Sequence, residues 1–288
     1  MGLNRDFIGK QYPSQDYGVT AEAIFRYARA YNEDNPQFLD SQRPDGIIAP
    51  PMFGIVIGWL SIMTVMTDTA LGVNLLHLLH SEQDMHFYRT VRPGDIVTST
   101  ARILAIEEKV RGESIMIEVL SSIQKNEPLQ RMLFTTYIRG KGGKERKRDG
   151  SIKETPKEIL EEEPLLRVAQ TIDTDQTYRY AQASGDYNPI HTDEDMARMA
   201  GLPGVIVHGM CTMAFASKVM IDHLCDYNAR RLKRLRACFS RPVFPGQTIT
   251  TAIWRQPDRD SVKVYNYETK NFEGQTVIKD GIAEVAFP

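Results

Sequence analysis

Tyr180-Ala181-Gln182-Ala183-Ser184-Gly185-Asp186-Tyr187-Asn188-Pro189-Ile190-His191-Thr192-Asp193 recurs in weakened form as Tyr27-Ala28-Arg29-Ala30-Tyr31-Asn32-Glu33-Asp34-Asn35-Pro36-Gln37-Phe38-Leu39-Asp40. A constant offset of 153 residues pairs Tyr27 with Tyr180, Asn35 with Asn188, Pro36 with Pro189 and Asp40 with Asp193. Agreement at a fixed offset marks a tandem duplication, so one fold is expected twice. The copies part where chemistry would sit: Gly185, Asp186 and His191 stand opposite Asn32, Glu33 and Phe38. A Phe side chain exchanges no proton, so one working site and one retired site per chain are expected.

The repeat runs well beyond this stretch. Phe239-Ser240-Arg241-Pro242-Val243-Phe244-Pro245-Gly246 aligns with Phe87-Tyr88-Arg89-Thr90-Val91-Arg92-Pro93-Gly94, and Val205-Ile206-Val207-His208-Gly209-Met210 aligns with Ile47-Ile48-Ala49-Pro50-Pro51-Met52. A two-copy repeat of this length reads as packed domains rather than a solenoid. The expected organisation is a first unit over residues 1–140, a charged linker over 141–164 and a second unit over 165–288. The linker is marked by its Gly, Lys and Glu content, with Lys144-Glu145-Arg146-Lys147-Arg148 at its centre.

With 288 residues and 42% hydrophobic content the chain can bury two cores. A net charge of −2 argues against nonspecific nucleic-acid binding. Cys211, Cys225 and Cys238 form neither an even set nor a CxxC pair, which suggests no disulfide framework and no zinc site. The most apolar stretch, 47–66, is broken by Pro50, Pro51, Gly54 and Gly58, so no membrane span is expected. Neither end reads as a signal peptide or a peroxisomal address, and a reducing, cytoplasmic location is the expectation.

Each half repeats one order of elements. In the second, Asp173 and Gln176 suggest a capping box before a helix that breaks at Gly185. A longer helix over 210–223 is apolar around most of its circumference and should be buried. Strand-like runs follow near 236–243, 248–256, 262–271 and 275–287. The first half shows the same plan, with Gly54–Met66 as its buried helix and strands near 84–91, 96–106, 114–125 and 129–138. One long helix wrapped by an antiparallel sheet is the hot-dog arrangement, so the fold class is α+β, a double hot dog.

Chemistry concentrates between Gly185 and Gly209. The Asn188-Pro189 step forces a turn, so Asp186 and His191 converge across it instead of sharing a helix face. A carboxylate and an imidazole on one water suit general acid–base work. Gly209 opens the buried helix, where unpaired N–H groups and the helix dipole favour developing negative charge, a credible oxyanion site.

These residues resemble the signature of the MaoC-like (R)-specific enoyl-thioester hydratases and dehydratases, which are hot-dog proteins. The resemblance rests on Gly185-Asp186-Tyr187-Asn188-Pro189-Ile190-His191, on the spacing to Val207-His208-Gly209-Met210 and on the Pro245-Gly246 turn. It spans nearly all the chain but is sharp only in the second half. It implies a hydro-lyase of fatty acid metabolism in which Asp186 and His191 hold and activate water, Asn188 orients them and the Gly209 amide binds the thioester carbonyl. The reaction implied is reversible syn hydration of a trans-2-enoyl thioester to the (3R)-hydroxyacyl thioester, with no metal and no cofactor. Gly185, His208, Arg234 and Arg236 complete the residues expected around the substrate.

Alternatives accompany this reading. Asp186 also suits an Asx turn, His191 a core histidine, and Gly209 a close-packing glycine. His77 and His80 have the spacing of a metal pair but lack further ligands. The basic run Arg230 to Arg236 suits the phosphates of coenzyme A, the acidic surface of an acyl carrier protein, or solvent alone. A catalytically silent thioester-binding or assembly protein and an acyl thioesterase are the rival functions. A homodimer is expected from an exposed sheet edge on each half.

Overall fold

The computed structural model describes residues 2–74, 78–124, 127–139 and 163–288. The expected linker lies outside these residues except for Glu163 and Pro164, and so does His77. In the first half the elements run β1 (Gln15–Gly18), α1 (Ala21–Arg29), α2 (Pro36–Leu39), α3 (Gly54–Met66), β2 (Leu78–Phe87), β3 (Ile96–Lys109), β4 (Gly112–Ile123) and β5 (Glu127–Arg139). The second half repeats them as β6 (Leu166–Thr171), α4 (Gln176–Ser184), α5 (Glu194–Met199), α6 (Gly209–Leu224), β7 (Leu232–Phe239), β8 (Thr248–Arg259), β9 (Val262–Asn271) and β10 (Thr276–Ala286).

The helices form where the sequence supplies their ends. Thr20 caps α1 by accepting the Ala23 N–H at 3.1 Å. Gly185 ends α4 in the left-handed region, at φ 80°, which only glycine adopts without strain. The capping box expected at Asp173 forms by half. Gln176 Oε1 accepts the Asp173 N–H at 3.1 Å, but the Asp173 carboxylate turns away to Arg179 at 2.5 Å and Asn32 at 3.0 Å. The N-cap position falls to Asp175.

The strands form one ten-stranded antiparallel sheet in the order β1-β3-β4-β5-β2-β7-β10-β9-β8-β6. That order reads the same from either end once each strand is replaced by its copy, so the halves are related by an approximate two-fold axis. The axis passes between β2 and β7, where Asp84 stands opposite Arg236. It also passes between Tyr27 and Tyr180, both fully buried, whose hydroxyls lie 3.2 Å apart and whose ring centroids are separated by 5.7 Å. The core helices α3 and α6 lie against the sheet, one per half. This is the double hot dog.

Two elements differ from expectation for one physical reason. β2 and β7 begin at Leu78 and Leu232, six and four residues before the runs expected at 84–91 and 236–243, and end at Phe87 and Phe239. Their outward positions carry charges, which mask the period-two signal but find partners across the strands. Arg234 forms a forked pair with Asp84 at 2.9 and 2.7 Å and reaches Glu284 at 3.0 Å, while Arg236 reaches Glu82 at 2.6 Å. The alternate residues Gln83, Met85, Leu235 and Ala237 are buried on the helix side. The edge strands β1 and β6 and the short helices α2 and α5 leave little periodicity to read.

Removing Arg234 would strip the largely buried Asp84 of its guanidinium partner and leave Glu284 with Arg259 at 3.5 Å. Arg234→Ala should lower the unfolding free energy by about 3–5 kcal/mol, read from urea denaturation. A loss below about 1 kcal/mol would mean that water replaces the guanidinium and that the pair does not hold the halves together.

Candidate active site

The segment after α4 folds through side-chain to backbone hydrogen bonds that Asp and Asn favour. Asp186 Oδ1 accepts the Asn188 N–H at 3.1 Å, and Asn188 Oδ1 accepts the Ile190 N–H at 3.4 Å. Pro189–His191 then makes one 3-10 turn, which brings the His191 ring back toward the Asp186 carboxylate. Asp186 therefore fills its Asx-turn role with one oxygen and keeps Oδ2 without a partner among the described residues. Side-chain donor atoms of Asp186, His191 and His208 all lie within 4.8 Å of one another.

Protonation of the rings follows from their partners. His191 Nδ1 lies 2.8 Å from the Ile206 carbonyl oxygen, which can only accept, so Nδ1 carries the proton and Nε2 is the bare nitrogen of the neutral ring. His208 Nε2 lies 3.0 Å from the Asp186 carbonyl oxygen and must likewise be protonated. The two rings stack at 3.7 Å with 24° between planes. Burial pushes His191 below the ordinary histidine range, against the pull of the Asp186 charge, and raises the Asp186 carboxyl, against the His191 charge. His208 is held well below the usual range by burial and by the neighbouring His191. A neutral His208 can stack on His191 in either charge state of the latter.

Three residues that sequence reading passed over hold this arrangement. The buried Thr177 Oγ1 lies 2.9 Å from the His191 carbonyl and 3.1 Å from the Ile206 carbonyl, tying both loop arms to α4. Its place one helical turn before Tyr180 was the available signal. Phe239, at the end of β7, packs its ring where a side chain at Gly209 would fall, 3.2 Å away, so Gly209 is also a close-packing glycine. Trp59 comes from α3 of the other half and donates its indole N–H to the Gly185 carbonyl at 3.1 Å. No local pattern could have announced it.

Gly209 is the first residue of α6, and its N–H has no acceptor among the described residues, as a helix start leaves it. Asn188, Gly185 and His208 are all brought to this place. Arg234 and Arg236 are not. They project from the sheet face opposite Phe239, and their guanidinium groups are committed to Asp84, Glu284 and Glu82, so the expectation that they hold substrate is corrected. The alternation of β7 sends one set of residues to the helices and the next outward.

The Asp186, His191 and His208 cluster is poorly suited to a metal. The protonated Nε2 of His208 offers no lone pair, and His208 Nδ1 lies against the Thr177 hydroxyl at 3.4 Å. Two free donors remain, fewer than the three or four that zinc takes from protein. His80, the described member of the other histidine pair, packs between Phe134 and Phe239 at 4.1 and 4.9 Å, and burial takes it down to about 3.

Residues 156–276 match the family described as MaoC like domain, and residues 6–131 match the family described as FAS1-like, dehydratase domain region. The second half is a MaoC-like domain, and the whole chain has the double hot-dog fold. It is 28% identical over 243 residues to a Dictyostelium discoideum protein named probable enoyl-CoA hydratase 2, covering 83% of this chain and 81% of that one. It is 29% identical over 239 residues to mouse peroxisomal multifunctional enzyme type 2, covering 82% of this chain but only 31% of that longer protein. The crystal structure of a MaoC-like dehydratase from Phytophthora capsici superposes with a TM-score of 0.82 at 23% identity, over 99% of this chain and 98% of that one.

The first copy carries different residues at each matching position. Phe38 replaces the histidine and is fully buried. Glu33 is buried as a structural group: it accepts the Asp34 and Asn35 N–H groups at 3.0 Å and the Tyr31 hydroxyl at 3.1 Å, with Lys218 of α6 at 3.4 Å. Pro51, at the position of Gly209, has no N–H to offer.

Imidazole nitrogen NMR at neutral pH should give His191 as the Nδ1–H form and His208 as the Nε2–H form, both neutral. A His208 that protonates near the ordinary histidine value would contradict this hydrogen-bond scheme. Gly185→Ala should cost about 1–2 kcal/mol of stability, because alanine is strained at that φ.

Proposed function

We propose that this MaoC-like chain is a hydro-lyase that adds water reversibly to trans-2-enoyl thioesters, giving (3R)-hydroxyacyl thioesters. The observation that carries the reading is the convergence of Asp186 and the bare His191 Nε2 beside the unpaired N–H of Gly209. The names of the relatives support it, and they favour coenzyme A as the carrier.

Burial favours the neutral form of each group, while mutual attraction favours the ion pair. Burial, the stronger influence on each, keeps the resting pair as a protonated Asp186 and a neutral His191, and their attraction lets a proton pass between them during the reaction. As the water oxygen bonds to the β-carbon, its proton goes to His191 Nε2. The π electrons move toward the carbonyl, whose oxygen gains charge against the Gly209 N–H. Asp186 gives its proton to the α-carbon on the same face, and the His191 proton then returns to Asp186. These steps need only proton carriers and a hydrogen-bond donor, so we propose that no cofactor takes part. Asn188 holds the turn that keeps Asp186 and His191 on one side.

We assign one reaction centre per chain, in the second half. Homodimerisation through the free edge of β6 is part of the proposal, supported by an outer edge of six residues. Among the described residues no helix is long and apolar enough to cross a membrane. A cytoplasmic location is the reading we propose, supported by three unpaired cysteines, although relatives include enzymes named as peroxisomal.

Loss of enoyl-thioester absorbance with short and medium trans-2-enoyl-CoA substrates tests the reaction. His191→Ala should lower kcat by about 10²- to 10⁴-fold. Release of free thiol instead of hydration would move the chemistry to hydrolysis. The pH profile of kcat/KM should be bell-shaped, falling in acid as the pair takes up a second proton and in alkali as it loses its shared one. In Asp186→Asn the carboxyl that gives and regains the shared proton is gone, so the residual activity should still fall in acid, as His191 protonates, but should lose its alkaline limb. A retained alkaline limb would show that the two groups do not act as a pair.

A further inference from the structure

A cavity of about 240 Å³ lies at the start of α3, floored by Pro51, Phe53 and Phe87 and lined also by Arg89, Arg230 and Lys233. Under the duplication Pro50-Pro51 corresponds to His208-Gly209, and Phe87-Tyr88-Arg89 to Phe239-Ser240-Arg241. The cavity is thus the first copy's version of the space in front of the working oxyanion site. Its chemistry is gone, with Phe38, Glu33 and Pro51 in place of the acid–base pair and the amide donor.

Its charge has changed in the other direction. Arg89 has a counterpart in Arg241, but Arg230 and Lys233 correspond to Leu78 and Ser81, which are uncharged. Arg89 is paired with Glu127. Arg230 and Lys233 form no ion pair among the described residues, whereas Arg231, Arg234 and Arg236 of the same basic run are each bound to carboxylates. The run is therefore divided by the fold, its paired members stabilising the sheet and its unpaired members turned into this cavity. Simple decay of a catalytic site gives no reason to gather cations from the other half of the chain, and anion recognition does.

We infer that this cavity binds the phosphate-bearing end of a second coenzyme A-type carrier, without chemistry. The inference rests on the reading that the working site takes a coenzyme A thioester. The space equals that of about eight waters, enough for a phosphorylated sugar or the end of the pantetheine arm but not for the whole carrier. The apolar floor suits the uncharged part of such a ligand, and the cations suit its phosphates.

Calorimetric titration of the intact chain with free coenzyme A tests this, with adenosine 3′,5′-bisphosphate and phosphate-free pantetheine as probes. The expected result is two coenzyme A sites per chain, the bisphosphate filling the second and pantetheine not filling it. Arg230→Glu with Lys233→Glu should weaken that second site by about tenfold or more. Turnover of trans-2-enoyl-CoA should stay within about twofold of the parent, which also shows that the variant folds. A single coenzyme A site, or a second site indifferent to the charge reversals, overturns the inference while leaving the hydratase reading intact. Two sites in a protein that hydrates no enoyl thioester would retire the hydratase reading and keep the cation cavity.

Discussion

Antiparallel pairing of β2 with β7 joins two copies of one sheet into a single surface, and every later feature depends on that seam. Each strand alone would present an open edge of unpaired N–H and C=O groups, which is costly to bury and prone to misassociation. Placed against each other, they satisfy those groups and set Asp84 opposite Arg236. The forked Arg234–Asp84 pair and the Arg236–Glu82 pair then fix the register from the outer face. A one-residue slip would expose the buried Leu235 and Ala237 and bury the arginines, so register is strongly specified. On the inner face the same seam brings α1 and α3 against α4, and with them the tyrosine pair on the two-fold axis.

That closeness lets each half complete the other's loop. Trp59 of α3 holds the Gly185 carbonyl ahead of Asp186, and Lys218 of α6 binds Glu33 and Asp34 at the corresponding place in the first copy. The contrast is electrostatic. A cation beside Asp186 would lower the carboxyl and abolish the balance in which burial raises it and lowers His191. The neutral indole positions the working loop without that field. The first-copy loop has Phe38 in place of the histidine, and there a lysine pairs with the carboxylates.

In the first copy the residues at the positions of the acid–base pair serve packing. A buried, unpaired acid–base pair costs stability, because its polar groups await a substrate. Phe38 and the fully hydrogen-bonded Glu33 remove that cost at one of the two positions. The second copy keeps buried titratable groups, and its stacked histidines are held by Thr177 and by the Ile206 and Asp186 carbonyls.

The sequence by itself determined the duplication, the two buried helices and which copy keeps the aspartate–histidine pair. Repetition at fixed offsets, an apolar helix circumference and the loss of a titratable group are local properties, readable without coordinates. Gly54–Met66 and Val262–Asn271 stand where the pattern placed them. It was also enough to gather Asp186, Asn188, His191 and Gly209, because one turn and one helix start lie close along the chain. Tertiary structure decided the rest. The basic run 230–236 reads as one cluster, yet strand alternation and cross-strand carboxylates divide it between the sheet and a cavity. Trp59 and Lys218 meet their loops across 126 and 185 residues of chain. His208 read as a substrate contact, and its stacking on His191 became visible only when two loop arms met. Such contacts depend on which surfaces face each other after folding, and no local pattern records that.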